Sequence, residues 1–107
     1  MKVPFNINLS GKTAIVTGGS GTLCSAMAYG LAVSGAKVAI IGRNIEKLAS
    51  VSEKLTKNAL DEYNKGVTIK GYSCNVINKD ELTAAYETIK NELGSCDILI
   101  NGAGGNQ

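Results

Sequence analysis

Four short apolar segments, each flanked by glycine and separated by stretches of helical period, constrain the fold of this 107-residue chain most. Thr13-Ala-Ile-Val-Thr17 lies between Gly11 and Gly18, and Lys37-Val-Ala-Ile-Ile41 between Gly35 and Gly42. Val67-Thr-Ile-Lys70 follows Gly66 and leads into Gly71-Tyr-Ser-Cys74, while Asp97-Ile-Leu-Ile-Asn101 follows Gly94 and runs into Gly102. A strand with one wet face alternates apolar and polar residues. These segments are continuously apolar instead, the mark of parallel strands covered on both faces.

The stretches between them supply the covers. From Asn78, the residues Leu82, Ala85, Tyr86, Ile89 and Leu93 recur on one helical face. Asn78 and Glu81 have capping-box spacing, and Gly94 sits where a helix would end on glycine. A middle helix starts near Asn44 with Ile45, Leu48, Val51, Leu55 and Ala59 inward, and Lys47, Lys54, Lys57 and Asp61 on a solvated face. The first, from about Thr22 to Ser34, carries Ser25, Ala26, Ala28, Gly30 and Ala32, small enough to lie close against strands. The order is β-α-β-α-β-α-β. Right-handed crossovers then predict a Rossmann-type, doubly wound parallel α/β sheet with strand order 3-2-1-4.

Composition narrows the chemistry. With 44% hydrophobic and 19% charged residues the chain reads as one globular unit, and a net charge of +2 gives no bulk attraction to nucleic acid or membrane. The chain has no histidine, which excludes a Ser-His-Asp or Cys-His nucleophile built from its own residues. Three scattered cysteines, Cys24, Cys74 and Cys96, point to a reducing compartment, not a disulfide framework. Met1 to Lys12 holds no apolar signal-like run, so the expected location is the cytoplasm.

After the first strand, Gly18-Gly19-Ser20-Gly21-Thr22-Leu23-Cys24 opens directly into the first helix. A helix N-terminus presents free N–H groups, and glycines let an anion approach them without a Cβ in the way. Gly19-x-Gly21-x-x-Cys24 is the dinucleotide fingerprint with cysteine at its last position, which serves helix–strand packing. Gly11-Lys12-Thr13 mimics a P-loop ending but precedes the strand, and Asn6 stands where its first glycine belongs. Tyr86-x-x-x-Lys90 pairs a phenol with an ammonium one helical turn apart, yet Tyr86 lies on the apolar stripe and reads as core. At the end of the second strand, where a ribose is normally held by an acid, Gly42-Arg43-Asn44 appears instead. No acid precedes Glu46, and Arg43 is the chain's one arginine. Its planar fork suits a 2′-phosphate, so NADP(H) is favoured over NAD(H).

At these residues the sequence resembles the short-chain dehydrogenase/reductase family, over the amino-terminal half of such an enzyme. Thr17 to Cys24 resembles its Thr-Gly-x-x-x-Gly-x-Gly turn, with Thr22 and Cys24 on the second and third glycines. Asn75-Val76 is similar to its Asp-Val, whose side chain contacts adenine; Asn75 keeps a carbonyl acceptor and loses the charge. Asn101-Gly102-Ala103-Gly104 resembles its Asn-Asn-Ala-Gly segment, which lines the nicotinamide ribose side, with Gly102 replacing the second Asn. The 101–106 segment and the glycine turn are similar to the mannonate/fructuronate oxidoreductase branch.

The resemblance implies that residues 1–107 are the N-terminal dinucleotide-binding part of one Rossmann domain, ending after strand 4. Its cofactor residues would be Gly18, Gly19, Ser20, Gly21, Thr22, Leu23, Arg43, Asn44, Asn75, Val76, Asn101, Gly102, Ala103 and Gly104. The whole enzyme would transfer hydride between nicotinamide and a small carbonyl or alcohol substrate such as a sugar acid, and would be a homo-oligomer. The family's catalytic Ser and Tyr-x-x-x-Lys come after strand 4, so the 107 residues alone are expected to be inactive. A stand-alone dinucleotide-sensing module is the alternative. A methyltransferase would want an acid where Gly42-Arg43 stands.

Overall fold

A computed structural model describes residues 8–18 and 20–102. It contains β1 (Thr13–Thr17), α1 (Thr22–Val33), β2 (Lys37–Gly42), α2 (Ile45–Tyr63), β3 (Thr68–Ser73), α3 (Lys79–Glu92) and β4 (Ile98–Asn101). All pairings are parallel and the order is β3-β2-β1-β4, the doubly wound arrangement expected from the sequence.

Alternation along the strands sorts the core into two layers. Ala14 and Val16 of β1, with Val38 and Ile40 of β2, face α1 and α2 and pack on Ala28, Ala32, Leu48 and Leu55. Ile15, Ala39 and Ile41 face the other way, onto Ile89 of α3. Continuous hydrophobicity thus reports two covered faces. The small residues of α1 do what their size suggested: Ala28 and Ala32 are buried against the sheet. Close approach recurs between α2 and β3, where a Cβ on Gly71 would lie 2.7 Å from the Leu48 Cβ.

Three local readings change in the folded chain. Ile45, the first residue of α2, is 49% exposed and stands outside the buried face that begins at Leu48. Leu99 is 53% exposed on β4, the outer strand of this sheet. Glu81 does not complete a capping box on Asn78; its carboxylate accepts the N–H of Asn75 at 3.0 Å, outside the helix. Asn78 still caps α3, accepting from the N–H groups of Asp80 and Glu81 at 3.1 Å each. Gly94 takes a φ of +123°, and its N–H donates to the Ile89 carbonyl just past the helix end, as expected.

Side chains latch the outer elements together. Lys70 Nζ of β3 donates to Glu92 Oε1 of α3 at 2.6 Å, and the Tyr72 hydroxyl donates to the same oxygen at 2.7 Å. These two donors hold the Glu92 carboxyl below the ordinary range. A carboxylate lowered in the folded state adds stability above its unfolded pKa and loses it as pH falls through the folded value. The urea midpoint is therefore expected to drop as pH falls below about 4.3, and Glu92→Gln should make that acid-side slope shallower. An unchanged slope in the variant would show that this latch has no part in it.

Candidate functional site

The carboxyl ends of the four parallel strands lie along one edge of the sheet, and the loops leaving them form the site. Gly18, next after β1, has a φ of +75°, which a side chain would strain. Its N–H donates to the Ile41 carbonyl at 2.9 Å, and its own carbonyl accepts the Gly21 N–H at 3.0 Å. The turn is thereby anchored to β2.

Gly21, the N-cap of α1, is glycine for a different reason. Its φ of −76° and ψ of 157° suit any residue. A Cβ there would meet the Gly18 oxygen at 3.4 Å, an ordinary contact. The fold does not demand glycine at 21, and what the missing side chain leaves open is the approach to the end of α1. That end has no side-chain cap and no acid in its first turn. By contrast, α2 and α3 are capped by Asn44 and Asn78. An uncapped helix start combines orphan N–H donors with the positive end of the dipole, which together suit an anion.

Beside this turn a cleft of about 410 Å³ crosses the ends of β1, β2 and β3. Gly18, Ser20, Arg43, Asn75 and Val76, all marked from sequence, line it. Ile41, Gly42, Cys74 and Ile77 line it as well and were not anticipated. Ile77 is 82% exposed, and an apolar residue in a loop carries no sequence signal that it lines a cleft. Arg43 is tied across the cleft mouth. Its Nη2 donates to Asn75 Oδ1 at 3.2 Å, and its carbonyl accepts from the Ser73 hydroxyl at 3.0 Å.

Other marked residues lie elsewhere. The Asn44 oxygen is engaged in capping α2, with donors Glu46 N–H at 3.0 Å and Lys47 N–H at 3.1 Å. Thr22 and Leu23 are exposed on the first turn of α1, outside the cleft lining. Asn101 lines a neighbouring cavity of about 220 Å³ with Thr17, Ile77 and Tyr86. Its Oδ1 accepts from the Thr17 hydroxyl at 2.9 Å, which ties the ends of β4 and β1 together. Gly19, Ala103 and Gly104 fall outside the described residues. Tyr86 is half-buried against the Ile15 and Ile89 layer, and burial pushes its phenol up, while Lys90 is exposed. Tyr86 belongs to packing, as read from the sequence. Among the described residues no group of potential metal ligands occurs, and no helix is long and apolar enough to cross a membrane.

The chain matches the family model for short chain dehydrogenases over residues 12–107. It is 45% identical over 104 residues to an uncharacterized oxidoreductase, UxuB, of Bacillus subtilis, covering 97% of this chain and 35% of that protein. It is 40% identical over 98 residues to the 2-dehydro-3-deoxy-D-gluconate 5-dehydrogenase of Formosa agariphila, covering 91% of this chain and 34% of that one. Among solved structures, a proposed D-mannonate oxidoreductase from Haemophilus influenza with bound NAD superposes with a TM-score of 0.81 at 36% identity, covering 94% of this chain and 34% of that chain. The chain thus spans about a third of the length of the proteins it matches.

The two positions that depart most from the expected motifs, Cys24 and Gly102, touch each other. A Cβ on Gly102 would lie 2.1 Å from Cys24 Sγ and 3.1 Å from the Thr17 carbonyl oxygen. The thiol packs against the core, as expected of it, and fills the room a side chain at 102 would need. Gly102→Ala should therefore destabilise the fold by about 1–3 kcal/mol through overpacking. Adding Cys24→Ala should recover part of that loss in a double-mutant cycle read by urea denaturation. Strictly additive effects would mean that the two residues are independent.

Proposed function

Because the chain belongs to the short chain dehydrogenase family, we propose that it is the nucleotide-binding part of an NAD(P)-dependent oxidoreductase. The substrate we assign to the whole protein is a sugar acid, oxidised at an alcohol carbon or reduced at a carbonyl carbon. Two of the proteins it is similar to carry names of that class, a gluconate-derived acid dehydrogenase and a mannonate oxidoreductase. The observation that carries the reading is the junction of an uncapped, glycine-opened helix start with a cleft across the strand ends.

The residues fit a dinucleotide. The open N-terminus of α1 offers N–H donors to a pyrophosphate, and Gly21 leaves room for it. Ile41, Val76 and Ile77 give the cleft apolar walls against which a purine can lie, with Asn75 as a polar contact on its edge. Arg43 stands where the 2′ position of the adenosine ribose would be read, and no acid precedes it in the chain. When bound, the nicotinamide would supply or accept the hydride. This chain's part is to bind and orient the cofactor; the general acid/base lies among residues outside 1–107, since Tyr86 is engaged in packing α3. The 107 residues alone are expected to give no turnover. The open edge of β4, with Leu99 exposed, is where further strands of the whole protein would pair. The whole protein would be a homo-oligomer.

Arg43 makes NADP(H) the favoured cofactor over NAD(H). A charge-assisted contact contributes about 1.5–3 kcal/mol, with exposure of the arginine favouring the low end, or about one decade in affinity. In the full-length protein, Arg43→Asp should weaken NADPH binding by about tenfold or more and leave NADH equal or tighter, as read by cofactor fluorescence titration. Tighter NADH than NADPH binding in the unsubstituted protein would reverse the assignment. Gly21→Val places a branched side chain at the proposed pyrophosphate approach. It should abolish binding of both cofactors while the far-ultraviolet dichroism stays unchanged. Normal binding in that variant would leave the glycine turn a structural feature.

A further inference from the structure

We infer that Asn75 is a specificity-determining residue that positions Arg43 without neutralising it, so that an amide, and not a carboxylate, at this position keeps the cleft selective for a 2′-phosphate. The inference rests on the cofactor reading above and adds to it a second role for the residue beyond the end of the neighbouring strand. Asn75 follows β3, and Arg43 follows β2, which pairs with β3 in parallel. Their side chains meet across the cleft mouth, with Arg43 Nη2 3.2 Å from Asn75 Oδ1.

The hydrogen bonding shows why the residue type matters. Asn75 Oδ1 accepts twice, from Arg43 and from the Ile77 N–H at 3.2 Å, so both of its lone pairs are engaged within the protein. Two donors on one atom also settle which end of the amide faces them, leaving the Nδ2 group for a ligand. The Asn75 N–H is in turn held by Glu81 Oε1 at 3.0 Å. The arginine is therefore steered by a clamped, uncharged acceptor, and its other N–H groups and its whole charge stay available. An aspartate of the same shape would take the same two donors but would pair with the guanidinium. Any incoming phosphate would then compete with a resident carboxylate for Arg43, and would meet that carboxylate's own charge at close range. Glu81 is already near on the far side, so the added charge would have one partner to turn to, Arg43.

The expected effect is that of a solvent-exposed ion pair acting on one arm of a comparison, about two- to fivefold. Dissociation constants of NADPH and NADH are measured by fluorescence on the full-length protein and on Asn75→Asp, Asn75→Ala, Arg43→Ala and the two double variants. Asn75→Asp should lower the NADPH-over-NADH preference by that factor, and the loss should shrink in high salt. Asn75→Ala, which unties Arg43 without opposing it, should lower the preference less. Losses of adenine contact fall equally on both cofactors and leave the ratio unmoved. Once Arg43 is alanine, Asn75→Ala should leave the ratio unmoved, and Asn75→Asp should lower it by less than it does with Arg43 present, through the direct repulsion of its charge alone. If Arg43→Ala lowers the preference and Asn75→Asp does not, Asn75 has no part in selectivity and this inference fails while the cofactor reading stands. If Arg43→Ala leaves the ratio unchanged, the cofactor reading fails and takes this inference with it. Should Asn75→Asp not fold, Asn75→Ala with its Arg43→Ala double variant decides the question by the same ratio.

Discussion

Burial of β1 on every side is the constraint from which the remaining architecture follows. All five of its residues are buried, with β2 and β4 as hydrogen-bonded neighbours, α1 over one face and α3 over the other. A strand so enclosed can meet solvent only at its ends. Its carboxyl end is where the chain must turn sharply to enter α1, and Gly18 makes that turn with a backbone that other residues resist. The Thr17 side chain bonds to Asn101, and the Thr17 backbone accepts from Gly102, so the exits of β1 and β4 are held together. The Cys24 thiol wedges beside Gly102 at the same junction. One buried strand thus fixes the place of a helix start, a cleft and a neighbouring strand end.

Asparagine amides organise the polar edge around that point. Asn44 and Asn78 close the N-termini of α2 and α3, Asn101 ties β4 to β1, and Asn75 holds Arg43 and the Ile77 amide. Each satisfies donors without bringing in charge. The start of α1 is the helix end left open, and the guanidinium of Arg43 stands near it over a cleft with no acidic lining residue among those described. A neutral scaffold with an open helix start and a cation at one margin favours an anionic ligand by position, even though the chain's net charge is only +2.

Much of this was legible in the residues, and what was not has identifiable reasons. Strand positions, parallel order, the start of α2 near Asn44 and the Asn78 cap follow from sequence signals: continuous apolar runs, glycine punctuation, helical period and a cap residue. Ile45 misled, because periodicity assigns a side of the helix but not how far along that side the cover extends, which here begins at Leu48. Glu81 misled in a similar way: capping-box spacing brings its carboxylate within reach of Asn78, and the amide of Asn75 won the competition. Ile77 went unmarked, since an apolar residue in a loop carries no local signal of the cleft it lines. The glycines at 18 and 21 look alike in sequence as well. Only their dihedral angles show that the first is required by the turn and that the second leaves space.

By itself the sequence determined the class of fold, because a buried parallel strand needs an unbroken apolar run and each crossover needs a helix of its own period. It also determined which residues stand at the strand ends, since chain order and register follow from that topology. What only the tertiary structure decided is how those residues meet. Arg43 and Asn75 are separated by 32 positions and Cys24 and Gly102 by 78, and no local propensity encodes a contact across such distances. Parallel pairing of β2 with β3 brings the first pair across one cleft, and pairing of β1 with β4 presses the second together. Long-range pairing alone turns two departures from a motif into one packed contact, and an isolated arginine into a held one.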